Sequence, residues 1–360
     1  MIMTINIKSK NMKKFQLLAM LLMMAFVSCA DKDGYEKADR FGRDDFKEVR
    51  ALKGRTLEFD TPILRPRDLQ ILDSVLVVID YNEEKLFHLY DLNTMTKMGS
   101  RVISGGGPND MLRPKFVKGD SDMLCAYDLA SSRIVWFDIP DFVSKEAAIV
   151  SKSVNTDNPL FGDVVMHGGK LLSCAYESDE FQLRAFDENG KSTGEMLPYP
   201  VSHISYTPDE QRDAYYMNFI SDGKERIAVF YSMTDLFEVY DNTGRLLTRK
   251  HGPDCFFPIF KEVHDGDVVT SAPDDDQTRD AYFSPRSVGD KLFVLYDGDF
   301  LNDPNNDGSC STLFVFSWDG ELEMQYQLDD PIYSFNVDAK NRKIFGISKT
   351  PEYHIVEYAY

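Results

Sequence analysis

The chain has 360 residues, 43% of them in the apolar and aromatic set AVILMFWYC, with 25 Phe, 18 Tyr and a formal net charge of −19. That is ample material for a large core, and the wealth of aromatic residues favours strands. The acidity excludes the basic footprint that nucleic acid requires and repels anionic headgroups, so attachment to a membrane has to come from an anchor.

Residues 1–11 are polar, and Met12-Lys13-Lys14 reads as the start of an export signal. Lys13 and Lys14 form its positive region, and Leu17 to Val27 is an apolar run of 11 residues, too short to span a bilayer. It ends in Phe26-Val27-Ser28-Cys29. A small residue followed by Cys at this point resembles the lipobox of bacterial lipoproteins, which implies acylation of Cys29; Phe26 departs from the Leu usual at its position. The alternative is an ordinary secretory signal with an incidental Cys. Residues 1–28 hold four Lys and no acid, so a chain starting at Cys29 carries −23 in place of −19. Ala30 to Asp45 is rich in Asp, Lys, Glu and Gly, and residues 29–45 read as a solvated, flexible tether. The acids Asp31 and Asp33 weakly resemble the flag that sends some Bacteroidetes lipoproteins to the cell surface.

From residue 46 to 360 one pattern recurs. Leu69–Leu72, the turn Asp73-Ser74, the apolar run Val75–Ile79, a second turn and Leu86–Tyr90 make three strands that close on an aromatic-Asp pair, Tyr90-Asp91. Further copies close at Phe137, Phe186, Tyr240, Trp318 and Tyr358. Their polar turns are Gly119-Asp120, Gly168-Gly169, Asp222-Gly223, Gly289-Asp290 and Asp338-Ala339. The closing positions are 47, 49, 54, 78 and 40 residues apart, a drifting period near that of a four-stranded propeller blade. The expected fold is therefore all-β: a six-bladed β-propeller of four-stranded antiparallel blades, with a generic β-sandwich as the alternative. The sixth copy runs out of chain before a fourth strand, so part of Val49–Phe59 is expected to supply it and close the ring.

Gly105-Gly106-Gly107-Pro108-Asn109-Asp110 follows the first copy, with a shorter echo at Gly252-Pro253-Asp254. Glycine and proline there suit a linker between blades. A phosphate loop is excluded, because no Lys-Ser/Thr follows and no helix is indicated. The Gly-x-Gly-Pro-x-acid stretch resembles the linker of NHL-type propellers. With the lipobox, the aromatic-Asp strand ends and the length, the chain over residues 12–360 resembles the TolB-like six-bladed propeller lipoproteins of Bacteroidetes. The resemblance implies no established enzymatic activity, and it carries over no catalytic residues.

The wide gap before the fifth copy holds Cys255 to Asp280, including Asp274-Asp275-Asp276, and is expected to form an enlarged loop on one face. Further on, Asp303-Pro304-Asn305-Asn306-Asp307-Gly308 fits the first half of a calcium loop, with Asp303, Asn305 and Asp307 as candidate ligands. Phe314 stands where the bidentate acid of a full loop belongs, and a polar turn is the competing reading. No close histidine pair and no G-x-S-x-G elbow occurs. Acids at the ends of second strands, Asp80, Asp128 and Glu177, are either hydrogen-bonded strand ends, the favoured reading, or channel ligands. Cys125 and Cys174 read as buried small hydrophobes, and a bond between Cys255 and Cys310 stays open.

Two functions follow. One is a lipid-anchored, non-catalytic binding or scaffold propeller of the cell envelope. Its anchor holds it to a membrane, outer membrane foremost, while a protein, peptide or glycan ligand sits on one propeller face. The other is a metal-dependent hydrolase or lactonase at a channel mouth.

Overall fold

The structure, a computed structural model, describes residues 34–119, 122–266 and 268–360. The leader 1–28, the acylation candidate Cys29, the acids Asp31 and Asp33 and the turn residue Asp120 lie outside the described residues. Residues 38–199 and 206–360 form the main unit; residues 34–37 group with 200–205, where Tyr35 bridges Ser202 and the Glu36 N–H donates to the Val201 carbonyl at 2.9 Å.

The main unit is a six-bladed propeller. Blade one is the antiparallel meander Pro66–Leu72, Val75–Asp80, Lys85–Asp91 and Thr96–Ile103. Its second strand, Val-Leu-Val-Val-Ile-Asp, is buried at every position, as befits a strand packed on both faces. Blades two and three repeat the meander with first strands Pro114–Phe116 and Val164–His167. Blades four, five and six begin at Met217–Ser221, Tyr282–Val288 and Ser334–Asp338. First strands touch those of neighbouring blades around the axis, so they line the channel.

The core lies between blade faces rather than in one central mass. Val77, Ile79 and Phe87 of blade one meet Phe116, Ala126 and Phe137 of blade two. Phe293 and Val315 of blade five meet Ile344 and Tyr358 of blade six in the same way. Each contact removes apolar surface worth roughly 25 cal/mol per Å² from water.

Closure follows the expected route and then exceeds it. Arg55–Leu57 pairs antiparallel with His354–Ala359 and completes blade six, from within Val49–Phe59. Two more strands precede it. Asp39–Arg40 pairs parallel with the outer strand of blade four at Lys250 and His251. Glu48–Leu52 pairs parallel with the outer strand of blade five, Met324 to Leu328. Residues 39–57 thus form a strap that adds one strand to each of three successive blades.

This corrects the tether expected over residues 29–45, which does not extend through Asp45. Phe41 and Phe46, each 6% exposed, pack with Phe314 and Phe316, and the Phe46 and Phe314 rings stack at 4.6 Å. Two aromatic side chains in a polar run are enough to bind it to the ring. Gly252 shows how close the strap lies: a Cβ there would sit 2.2 Å from the Phe41 carbonyl oxygen.

The Cys255–Asp280 insertion contains a two-stranded hairpin, Phe260–Asp265 with Val268–Pro273, instead of irregular loop. Among the described residues, two short α-helices interrupt the strands. Ile139–Ser144 is capped by Asp138, whose side chain accepts from the Asp141 N–H. Pro208–Ala214 opens with a capping box of Thr207 and Glu210.

Candidate functional site: the channel mouth

The first strands carry charge where they face the axis. Asp68 enters from blade one, Lys118 follows the first strand of blade two, Asp163 precedes that of blade three, and Arg286 lies on that of blade five. Lys118 Nζ pairs with Asp163 at 2.5 Å, and both side chains are nearly buried, at 10% and 9% exposed. Arg286 Nη2 donates to Asp68 Oδ1 at 3.3 Å. Asp68 also accepts from the Leu69 and Phe116 N–H groups and from Ser334 Oγ, which ties blades one, two, five and six together. Asp163 accepts the Phe219 N–H of blade four.

Above these pairs is a cavity of about 430 Å³, lined among others by Asp68, Gln70, Lys118, Ser221, Arg286 and Asn336. Asn336 Nδ2 donates to Gln70 Oε1 at 3.1 Å, closing the wall between blades six and one. His167 Nδ1 lies 2.7 Å from Ser221 Oγ between blades three and four. Asp73, Asp222, Asp338 and Lys340 belong to the rim. Burial, reinforced by Arg286, brings the Lys118 ammonium down to about 8 against the pull of Asp163. The Asp163 carboxyl resists its own burial and lies below the ordinary carboxylate range, held there by Lys118, Lys115 and Arg286. Burial lowers His167 below the ordinary imidazole value, with Asp222 opposing.

The residues singled out from the sequence lie elsewhere. Asp80 is buried and accepts the N–H groups of Leu64, Arg65 and Asn82. Asp128 does the same for Leu112, Arg113 and Ala130 and takes the Ser131 hydroxyl. Both are hydrogen-bonded strand ends, the favoured reading. Glu177 is exposed, and among the described residues its ion-pair partner is Arg184, at 4.0 Å. Cys125 and Cys174 are buried; Cys310 is a buried free thiol, so no bond joins it to Cys255, whose Sγ lies 3.3 Å from the His251 carbonyl oxygen.

Asp303 Oδ1 accepts from the N–H and Nδ2 of Asn305, and Asp307 Oδ1 accepts the Ser309 N–H, with Lys349 Nζ at 3.6 Å. The candidate ligands thus hold their own turns. Asn305 and Asp307 also line a second cavity of about 640 Å³ with Asp299, Asp329 and Asp330. Among the described residues, no three His, Cys, Asp or Glu side chains are grouped so as to hold a metal ion. Asp330 is committed to His354 Nε2 at 2.6 Å and Ser348 Oγ at 2.7 Å. Nearby Asp297 has one buried oxygen, Oδ2, without a hydrogen-bond partner, and burial with Asp299 and Asp280 pushes its carboxyl up to about 7.

Channel residues escaped sequence reading because each is a lone charge in or beside a short strand. Their partners are 45 residues away for Lys118 and 218 for Arg286. The usable signal is that first strands repeatedly hold a charged or amide residue among apolar neighbours.

Fold and site define a class: a six-bladed β-propeller whose charged, cross-braced channel opens into a polar mouth. The sequence matches the TolB-like 6-blade propeller-like family over residues 45–340, and the chain belongs to that family. No curated protein matches it. Solved structures similar to it include a Bacteroides fragilis protein inferred to be exported, at 9% identity over 89% of this chain and 98% of that one, TM-score 0.49. Raptor of Chaetomium thermophilum is 11% identical over 86% of this chain and 29% of its own, TM-score 0.48. BamB of Moraxella catarrhalis is 12% identical over 80% and 82%, TM-score 0.37. None of these likenesses bears on what the chain binds.

Proposed function

We propose that the protein is a lipid-anchored, non-catalytic binding module of the bacterial cell envelope, held to the outer membrane through Cys29, and that its ligand is a small polar molecule seated in the channel mouth. The observation that carries the binding reading is the 430 Å³ cavity walled by polar side chains from five blades. The charges beneath it are tied into pairs that join blades, so the mouth is rigid before a ligand arrives, and little ordering entropy opposes binding. The anchor reading rests on the apolar run ending in Ser28-Cys29.

Two experiments test this reading. Cys29→Ala is expected to move the protein from the membrane to the soluble fraction; a variant that still sediments with membranes contradicts the anchor. A thermal-shift panel of sugars, sugar acids, amino acids and short peptides on the detergent-solubilised full chain is expected to give at least one stabilising compound. That shift is expected to vanish in Gln70→Leu/Asn336→Leu, which replaces two wall amides that bond each other. A shift that persists in the double variant removes the ligand from the channel.

A further inference from the structure

We infer that the channel mouth takes a sugar acid, its carboxylate seated on Lys118 and Arg286 and its hydroxyl groups on the amide and hydroxyl side chains of the wall. The inference rests on the channel-binding reading above and names the chemical class of its ligand.

Hydrogen-bond accounting at the channel floor carries the carboxylate. Each anion there takes at least two donors. Asp68 Oδ1 receives the Leu69 N–H, Ser334 Oγ and Arg286 Nη2, and Oδ2 receives the Phe116 N–H. Asp163 Oδ2 receives both Lys118 Nζ and the Phe219 N–H. The cations keep N–H groups to spare among the described residues, although the Arg286 guanidinium also lies 5.7 Å over the Phe335 ring. Lys118 donates once, to Asp163, and Arg286 donates to Asp68 and to the Pro285 carbonyl. An ammonium and a guanidinium have more N–H groups than that, and both side chains line the same cavity. The floor therefore presents unspent charged donors, the chemistry that recognises a carboxylate. The framework N–H bonds to Asp68 and Asp163 also offset part of the negative charge that would otherwise cancel the two cations. The lowered Lys118 agrees, since burial and Arg286 leave its positive charge under-compensated.

The wall decides what the carboxylate is attached to. Gln70, Ser221, Ser287, Asn336 and Asn341 offer amides and hydroxyls, and Asp222 and Asp338 at the rim offer acceptors. Such a lining suits a molecule that both donates and accepts along its length, as hydroxyl groups do. An aliphatic carboxylate would leave those groups unpaired and lose affinity. The cavity volume lies within the range of small-ligand sites.

Glucuronate and glucose differ in carrying a carboxylate or a hydroxymethyl on the same ring, so they isolate the floor contact. Calorimetric titration of both into the detergent-solubilised full chain is expected to show glucuronate binding at least tenfold tighter. Lys118→Met/Asp163→Leu, which removes the pair without stranding either charge, and Arg286→Gln are each expected to bring the ratio below about threefold. Should either variant fail to fold, the ratio on the parent chain decides alone. Equal affinity for the two sugars overturns the carboxylate site while leaving the channel reading standing. A preference that survives in the folded variants also overturns it. Glutamate binding as tightly as glucuronate overturns the sugar class. If neither sugar binds and another compound of the panel is displaced by the wall variant, the sugar acid falls and the channel reading stands.

Discussion

Blades one to three and blades four to six are built from the same meander and finished differently. Among the described residues, the outer strands of the first three, Thr96–Ile103, Val150–Asn155 and Ser192–Pro198, carry no further strand. Those of blades four and five are overlaid in parallel by the strap, and blade six owes its fourth strand to it. Only the strapped half buries the Phe41–Phe46–Phe314–Phe316 aromatic cluster. It also buries an ion pair far from the channel: Glu238, with no exposure, receives Arg249 Nε and the hydroxyls of Tyr231 and Tyr240. The difference shows that the two ends of the ring are joined by more than one strand pairing, and that rings cluster where the strap crosses blades four and five.

The largest expected effect comes from removing the join. Deleting the chain through Leu57 strips all three strap strands and five buried side chains, Tyr35, Phe41, Phe46, Leu52 and Leu57, and is expected to give aggregation or loss of the cooperative transition. Deleting only through Asp45 takes Phe41 and the blade-four strand and is expected to cost about 3–5 kcal/mol, the usual range for a buried Phe. Denaturant unfolding of both measures this, and a fully stable shorter deletion would return residues 38–45 to the role of tether.

Next in size is Glu238→Gln, which leaves Arg249 buried without its counter-charge. Breaking one side of a buried pair costs roughly 3–5 kcal/mol. A loss below about 1 kcal/mol would mean that the strapped half gains nothing from this network.

Asp297→Asn is smaller and opposite in sign. The folded carboxyl, pushed up to about 7, holds a proton that the unfolded chain releases near 3.8. Rising pH between those values therefore costs folded-state stability, and the asparagine escapes that cost. The variant is expected to melt roughly 2 °C above the parent at pH 8 and level with it near pH 4. An advantage independent of pH would point to packing instead.

The smallest effect concerns calcium at Asp303, Asn305 and Asp307. The ion would have to displace the turn bonds these side chains now make. Even at ten times Kd it would add only about 1–2 kcal/mol. The expected result is a slight calcium-dependent rise in melting that Asp303→Ala/Asp307→Ala abolishes. An equal rise in both proteins puts the ion elsewhere.

The unequal visibility of these features in the sequence has a physical basis. Val75–Ile79 and its counterparts are buried on both faces, so each is an apolar run that announces itself. The truncated sixth copy likewise demands a strand from the other terminus, and Arg55–Leu57 answers. Asp39–Arg40 and Glu48–Leu52 are invisible by the same logic: they lie on the rim, nearly every side chain exposed, and backbone pairing leaves no pattern in side chains. Phe41 and Phe46 were the available clue. Of the candidate site, the sequence shows strand-end acids such as Asp80 because they recur at one phase. Lys118 with Asp163 and Arg286 with Asp68 do not recur; the packing of successive blades brings the first pair together and ring closure the second.

The central claim is that the channel mouth is the binding site and the strap is scaffold. Hydrogen exchange of the detergent-solubilised full chain, with and without saturating sodium glucuronate, tests it most directly. Added protection is expected to be confined to peptides covering Pro66–Leu72, residues 114–119, Met217–Ser221, Tyr282–Val288, Ser334–Asp338 and the turns beside them, with the strap and all outer strands unchanged. Protection on the outer strands or on the hairpin at 260–273, with the channel peptides unaltered, would contradict it.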